Sequence, residues 1–137
     1  MDKSYWNNFY KRMGRGSSQP MPPSQFAAFC AAELGNRIKI IVDIAFGDGR
    51  DTLFFAQQGF QVFAFEKSSA AVNLLSERVS ALGQIAVSEL DVVNGKIDLE
   101  LNQGTPVAYY SRFFLHTLTE QELTKFFKNI SSVMKEN

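Results

Sequence analysis

The chain is short of the residue types that build covalent or metal cross-links. Cys30 is its only cysteine and His116 its only histidine. That excludes an internal disulfide and a cysteine-rich zinc site, suits a reducing compartment, and leads us to expect no metal centre. Long apolar runs are lacking too: Asp, Gly, Gln or Lys breaks each one well before the roughly 20 residues a membrane helix needs. The opening "MDKSYWNNFYKR" has no apolar stretch followed by a small-residue cleavage site, so no signal peptide or membrane segment is expected, and a cytoplasmic location is. Charge of one sign is not in excess either, with 14 basic against 14 acidic side chains, so net charge gives no reason to expect a nucleic-acid partner. No internal repeat or low-complexity tract appears. At 137 residues, 45% apolar and 20% charged, the chain reads as a single soluble domain spanning 1–137.

What is present is an alternation of strand and helix patterns. Trp6, Phe9, Tyr10 and Met13 recur at helical spacing among polar residues, which predicts a short amphipathic helix. "GRGSSQPMPPS", residues 14–24, holds three of the four prolines and predicts a loop. Residues 1–24 therefore form an N-terminal helix and loop, whose aromatic side chains either lie over a site as a lid or pack on the core. Ser24 is a natural N-cap for "QFAAFCAAELG", with Gly35 as its stop. Cys30 falls on the apolar face of that helix and is expected in the core. "IKIIVDI" is a β-branched run without polar alternation, the pattern of a strand buried on both faces of a parallel sheet. A helix from Arg50 to Gln58 closed by Gly59, the strand "QVFAFE", a helix capped by Ser68 or Ser69 and running to Gly83, and "QIAVSELDV", a third strand with its exit loop, follow. A polar connector leads to "VAYYSRFFLHTL", the fourth strand and its C-terminal loop, and Thr119 with Glu122 forms a capping box for the last helix. This order predicts an α/β fold, a Rossmann-like parallel sheet with helices on both faces.

In such sheets ligands bind beyond the C-terminal strand ends, which places Asp43, Glu66, Asp91 and Ser111 around one crevice. Gly47 and Gly49, in the turn "AFGDGR", let the backbone approach a ligand, and the helix behind them offers free N–H groups to an anion. Two ligand classes use such a turn: a dinucleotide and S-adenosylmethionine. The dinucleotide fingerprint asks for a third glycine where Thr52 stands, and a pyrophosphate would be poorly served by Asp48 and Asp51. An ammonium and a sulfonium favour acids instead. Asp43 and Asp48 suit them, Glu66 suits the two hydroxyls of a ribose, and Asp91 suits an adenine amino group.

With those residues set out, "VDIAFGDGRDTLFFAQQGFQVFAFEKS" resembles the cofactor-binding core of class I S-adenosylmethionine-dependent methyltransferases. "YYSRFFLHTLTEQEL" is similar to their fourth strand and following loop, and "YWNNFYKR" with "PPSQF" resembles the tellurite-resistance and thiopurine-type branch. The resemblance implies strand order 3-2-1-4 and S-adenosyl-L-methionine as cofactor. It implies cofactor contacts from Asp43, Ala45, Gly47, Gly49, Arg50, Asp51, Glu66, Leu90 and Asp91, with Ser111 and Arg112 near the methyl-donor end. The acceptor is expected to be a small molecule. No Asn/Asp-Pro-Pro-aromatic tetrad, the mark of nucleic-acid base methylation in this family, is present. His116, past the fourth strand, is a candidate general base and Arg112 a candidate anchor for an anionic acceptor.

Two departures from the family pattern raise the alternative of a non-catalytic or truncated relative. Ala45 stands at a glycine position, tolerable if its φ is negative. Phe46 stands where a small residue is usual, and its ring points either into the core or into the methionine end of the pocket. The family's sheet has seven strands and this chain reads as truncated after the fourth, so the edge of strand four is expected to be exposed and to serve a homo-oligomer.

Overall fold

The computed structural model describes residues 2–16, 22–80 and 82–136. In chain order they form α1 (Lys3–Gly16), α2 (Gln25–Leu34), β1 (Ile40–Ile44), α3 (Arg50–Gln57), β2 (Gln61–Glu66), α4 (Ser69–Val79), β3 (Ile85–Glu89), β4 (Val107–Tyr110), a 3-10 turn (Leu115–Thr117) and α5 (Glu120–Glu136). The four strands are parallel, in the order β3-β2-β1-β4. The expected fold and strand order are both present. The first three residues of the expected 14–24 loop belong to α1, and its residues 17–21 lie outside the described residues.

Strand periodicity divides the core in two. Ile41, Val62, Ala64 and Tyr110 point to one face, where they meet Leu53 and Phe55 of α3, Ala27 of α2, Leu75 and Val79 of α4, and Tyr10 of α1. Val42, Ile44 and Phe65 point to the other, against Phe126, Ile130 and Val133 of α5 and against Val92, Val93 and Ile97 of the connector. All five residues of β1 are buried, Asp43 among them, as a run without polar alternation predicts for a strand flanked on both sides and covered on both faces. β3 differs: as an edge strand it is covered on one side only, and Ala86, Ser88 and Glu89 are exposed. Cys30 is half-buried against the first cluster rather than fully within it.

The ends of the helices follow the sequence closely. The Ser24 hydroxyl accepts from the Ala27 N–H, the Ser68 hydroxyl from the Ala71 N–H, and Thr119 and Glu122 exchange both bonds of the capping box. α4 stops at Val79, before the predicted end near Gly83. An unforeseen cap ties α1 down: the Asn7 Oδ1 accepts from the Ser68 hydroxyl at 2.6 Å and from the Ala70 N–H at 3.2 Å, satisfying a first-turn donor of α4. Lys3 also pairs with Glu89 on β3 at 2.8 Å. The aromatic face of α1 is thereby held over the C-terminal ends of the strands.

Candidate functional site

The β1–α3 turn is the most contorted stretch of backbone. Ala45, Gly47 and Gly49 all have positive φ, at 59°, 65° and 83°. The two glycines are there for different reasons. A Cβ on Gly49 would come within 2.6 Å of the Leu75 side chain, so this residue lets α4 close over the turn. A Cβ on Gly47 would meet the Tyr10 hydroxyl at 3.0 Å, so this one keeps open the space beneath α1.

Ala45 does not meet the condition under which an alanine is tolerable at this glycine position, a negative φ. Its N–H is drawn to the Phe65 carbonyl at 2.8 Å while the chain must turn at once toward α3, and the left-handed region meets both demands. An L-residue there costs about 1–2 kcal/mol, and glycine gives up about 0.5–1 kcal/mol in chain entropy. Ala45→Gly is therefore expected to stabilise the fold by up to about 1 kcal/mol, read as a higher urea midpoint. A lower midpoint would show that the methyl group's packing outweighs the strain.

Beyond the turn lies a cavity of about 460 Å³, within the range typical of small-ligand sites. Trp6, Phe9, Tyr10, Phe46, Phe113 and Phe114 give it aromatic walls; Asp43, Asp48, Asp51 and Glu66 are its acids, Arg50 and Arg112 its cations. Of the residues singled out from sequence, Asp43, Ala45, Gly47, Arg50, Asp51, Glu66 and Arg112 line it together. Phe46 is buried in the first core cluster and also forms part of the wall, so its ring takes an inward position that leaves the cavity in place.

The four acids do different things. Asp43 is fully buried and accepts the Thr52 hydroxyl at 2.6 Å. Burial pushes its carboxyl up to about 7, opposed by the Thr52 bond and reinforced by the charges of Asp51 and Glu66. Folding therefore favours the protonated form, and this contribution to stability is lost as pH rises from about 4 to about 7. Asp43→Asn keeps an acceptor for Thr52 and removes the ionisation. It is expected to raise the melting temperature at pH 8, by on the order of 1–3 kcal/mol in stability, with the gain fading toward pH 4. A pH-independent difference between the two proteins would contradict the buried-carboxyl account.

Glu66 is buried at the end of β2. One of its oxygens accepts the Gly47 N–H at 3.1 Å, the other the N–H groups of Lys67 and Ser68. Burial raises its pKa, and those three bonds hold it back. Asp51 is a hub that sequence spacing did not reveal. It accepts the Ser24 N–H and hydroxyl, each at 2.8 Å, the Tyr110 hydroxyl at 2.7 Å and the Arg112 Nε at 3.2 Å. Burial alone would raise its pKa, but these partners keep it below the usual carboxylate value. Asp48 accepts the Arg50 N–H through its side chain, and its carbonyl accepts from Arg78.

The remaining sequence candidates lie elsewhere. Gly49 is absent from the cavity lining, its role being the contact with α4. Leu90 and Asp91 border a neighbouring space of only about 10 Å³, and Asp91 is occupied by the turn that follows it, accepting from the Val93 N–H and from Asn94. Ser111 faces a third cavity beside the first. His116 is exposed on the 3-10 turn, its ring edge-on to Phe113 at 6.2 Å, and borders none of these spaces. Among the described residues there is no cluster of three or more His, Cys, Asp or Glu placed to hold a metal ion, and no helix long and apolar enough to cross a membrane.

Residues 41–137 match a family described as a methyltransferase domain. No curated protein sequence matches the chain. Among solved structures, the glycopeptide N-methyltransferase MtfA complexed with S-adenosyl-L-methionine superimposes with a TM-score of 0.67 at 20% identity, over 81% of this chain and 49% of that one. The DhpI–SAM–HEP complex gives 0.68 at 17% identity, over 94% and 57%. Phosphoethanolamine N-methyltransferase 1 of Haemonchus contortus gives 0.58 at 19%, over 96% and 30%. The chain thus spans about half the length of the first two and less of the third, and at these identities the likeness is one of fold.

Proposed function

The chain belongs to the methyltransferase-domain family, and we propose that the cavity beyond its β1–α3 turn binds S-adenosyl-L-methionine for methyl transfer to a small molecule. The observation that carries this reading is Glu66, a buried carboxylate on the cavity wall whose two oxygens are held in fixed directions by three backbone N–H groups. A carboxylate so oriented suits a pair of adjacent hydroxyls, as on a ribose. Asp43 and Asp48 suit an ammonium and a sulfonium, Arg50 suits a carboxylate, and the aromatic walls exclude water. The lining thus fits the methionine and ribose parts of the cofactor as it stands. The adenine part fits only once the space beside Leu90 and Asp91 opens, since about 10 Å³ holds no more than about one water.

When bound, the cofactor supplies an electrophilic methyl group on a sulfonium. The chain's own residues position, enclose and dry the site; such work needs no conspicuous catalytic side chain. α1 covers the cavity through Trp6, Phe9 and Tyr10, and the Asn7 cap to α4 fixes that cover. This aromatic cover supports the tellurite-resistance and thiopurine-type branch, and the small-molecule acceptor fits the modest size of the cavities. The outer edge of β4, which pairs only with β1 among the described strands, is our proposed contact for a second copy or a further strand.

A second reading is favoured by the closed space at Leu90 and Asp91: a relative that keeps the fold without the binding. Calorimetric titration with S-adenosylmethionine and S-adenosylhomocysteine separates the two. Saturable one-to-one binding is expected. No heat with either ligand, in a sample that unfolds cooperatively, would leave the second reading standing.

A further inference from the structure

Next to that cavity is a larger and more open one of about 640 Å³ whose lining residues carry charge of the other sign. Its lining, formed by the start of α2, Arg50 of α3 and the segment leaving β4, contains two arginines and no acid, where the first cavity has four acids. Arg50, Arg112 and Phe113 border both spaces, so the two cavities are adjacent at these side chains. Arg112 is half-neutralised by Asp51 through its Nε, whereas Arg50 makes no ion pair among the described residues. Ser111 lines this wall, with its hydroxyl oxygen buried beneath the surface and without a hydrogen-bond partner among the described residues, an arrangement that costs about 1–3 kcal/mol. The first turn of α2 also lines it: Ser24 caps the Ala27 N–H and Asp51 accepts the Ser24 N–H, which leaves the N–H groups of Gln25 and Phe26 without a partner among the described residues.

The same space is flanked by two exposed rings. Phe26 is 47% exposed and stacked on Tyr110, and Phe113 is 75% exposed with the Arg112 guanidinium 4.6 Å from its ring centre. Phe113 also holds a positive φ of 55°, a strained conformation for a large side chain that places a ring in solvent at the mouth of two cavities.

We infer that this larger cavity is the acceptor site, and that it takes a small aromatic molecule carrying a carboxylate or phosphate group. The anion is bound by Arg112, by the start of α2 and by the side of the Arg50 guanidinium that the cofactor's carboxylate leaves open, and the ring is bound between Phe26 and Phe113. The identity of the site as an acceptor site rests on the methyltransferase reading; its preference for an anion rests on its own lining.

The test uses the full chain saturated with S-adenosylhomocysteine, titrated with benzoate, phenyl phosphate and neutral benzyl alcohol while the amide resonances of residues 111–113 are followed by NMR. At least one anion is expected to bind saturably, about tenfold or more tighter than benzyl alcohol, and to weaken with salt. Benzoate against phenyl phosphate tells which anion the site prefers. Gln25→Glu puts a negative charge on the lining at the first position of α2, where an acid favours the helix, so a loss of binding there is not a loss of folding. It is expected to weaken the anions about five- to tenfold and leave benzyl alcohol unchanged. Equal affinity for charged and neutral probes, or anion binding indifferent to Gln25→Glu, overturns the inference while leaving cofactor binding intact. Failure of S-adenosylhomocysteine to bind, with anions still binding, sinks the methyltransferase reading and with it the assignment of the cavity as an acceptor site.

Discussion

Asp51→Ala is expected to destabilise the protein by about 3–5 kcal/mol, a large part of the roughly 5–15 kcal/mol that holds a typical domain together. Asp51 stands in the first turn of α3 and gathers donors from the start of α2 and from the end of β4, so one carboxylate pins three segments. Alanine leaves the buried Tyr110 hydroxyl without its acceptor and the Arg112 guanidinium, only 24% exposed, without its counter-charge. Removing one member of such a group is costly because the others stay desolvated. Asp51→Asn should fall between, since an amide offers one accepting oxygen and turns its NH₂ toward either Ser24 or Tyr110, where donors already stand. Urea unfolding at pH 7 reads the effect, and a change below about 1 kcal/mol for alanine would mean that solvent replaces the lost partners. Acid has the same signature in milder form. Because the folded-state pKa of Asp51 is depressed, its contribution is present above about pH 4 and is lost as pH falls through the lower folded value. The sign is opposite to that of Asp43, whose contribution fades as pH rises.

These two aspartates show what a linear reading reaches and where it stops. The strands, their parallel order and the caps at Ser24, Ser68 and Thr119 follow from local chemistry: β-branched runs without polar alternation, and hydroxyls one residue before an apolar helix. The gathering of Asp43, Gly47 and Glu66 at one cavity follows from strand ends that a parallel sheet must bring together. Asp51 looked like one more acid at a helix start, because its partners are 27 and 59 residues away in sequence and only tertiary packing brings them in. The cap from Asn7 to α4 spans more than 60 residues and has no local signature at all. Gly49 was legible as a glycine the turn requires, yet the reason lies in Leu75 of another helix rather than in a ligand. Ala45 carries a Cβ at a position whose φ no local pattern reveals: the bond to Phe65 imposes a positive one, the conformation a glycine would hold without strain.

Glu66 carries the second large effect, on binding. If its carboxylate receives two hydroxyls of the cofactor, each charge-assisted bond contributes about 1.5–3 kcal/mol, and Glu66→Ala should weaken S-adenosylhomocysteine by about 10²–10⁴-fold. The substitution also frees the N–H groups of Gly47, Lys67 and Ser68, so the turn itself loosens and the melting temperature should fall. Glu66→Gln distinguishes the two consequences. Three N–H donors already converge on the two oxygens, so an amide must present its NH₂ either to Gly47 or to the Lys67 and Ser68 pair. The less obstructed choice faces Gly47, retains the bonds to Lys67 and Ser68, and presents a donor where an acceptor is needed for one hydroxyl. Glutamine should therefore keep most of the stability that alanine loses while still weakening the ligand by about tenfold or more. Calorimetry with S-adenosylhomocysteine, run beside thermal unfolding of the three proteins, reads both quantities. Should glutamine bind as tightly as the parent, Glu66 would be a brace for the turn and nothing more, because a residue that only ties the Gly47 N–H in place has no reason to distinguish a ligand's hydroxyls from water.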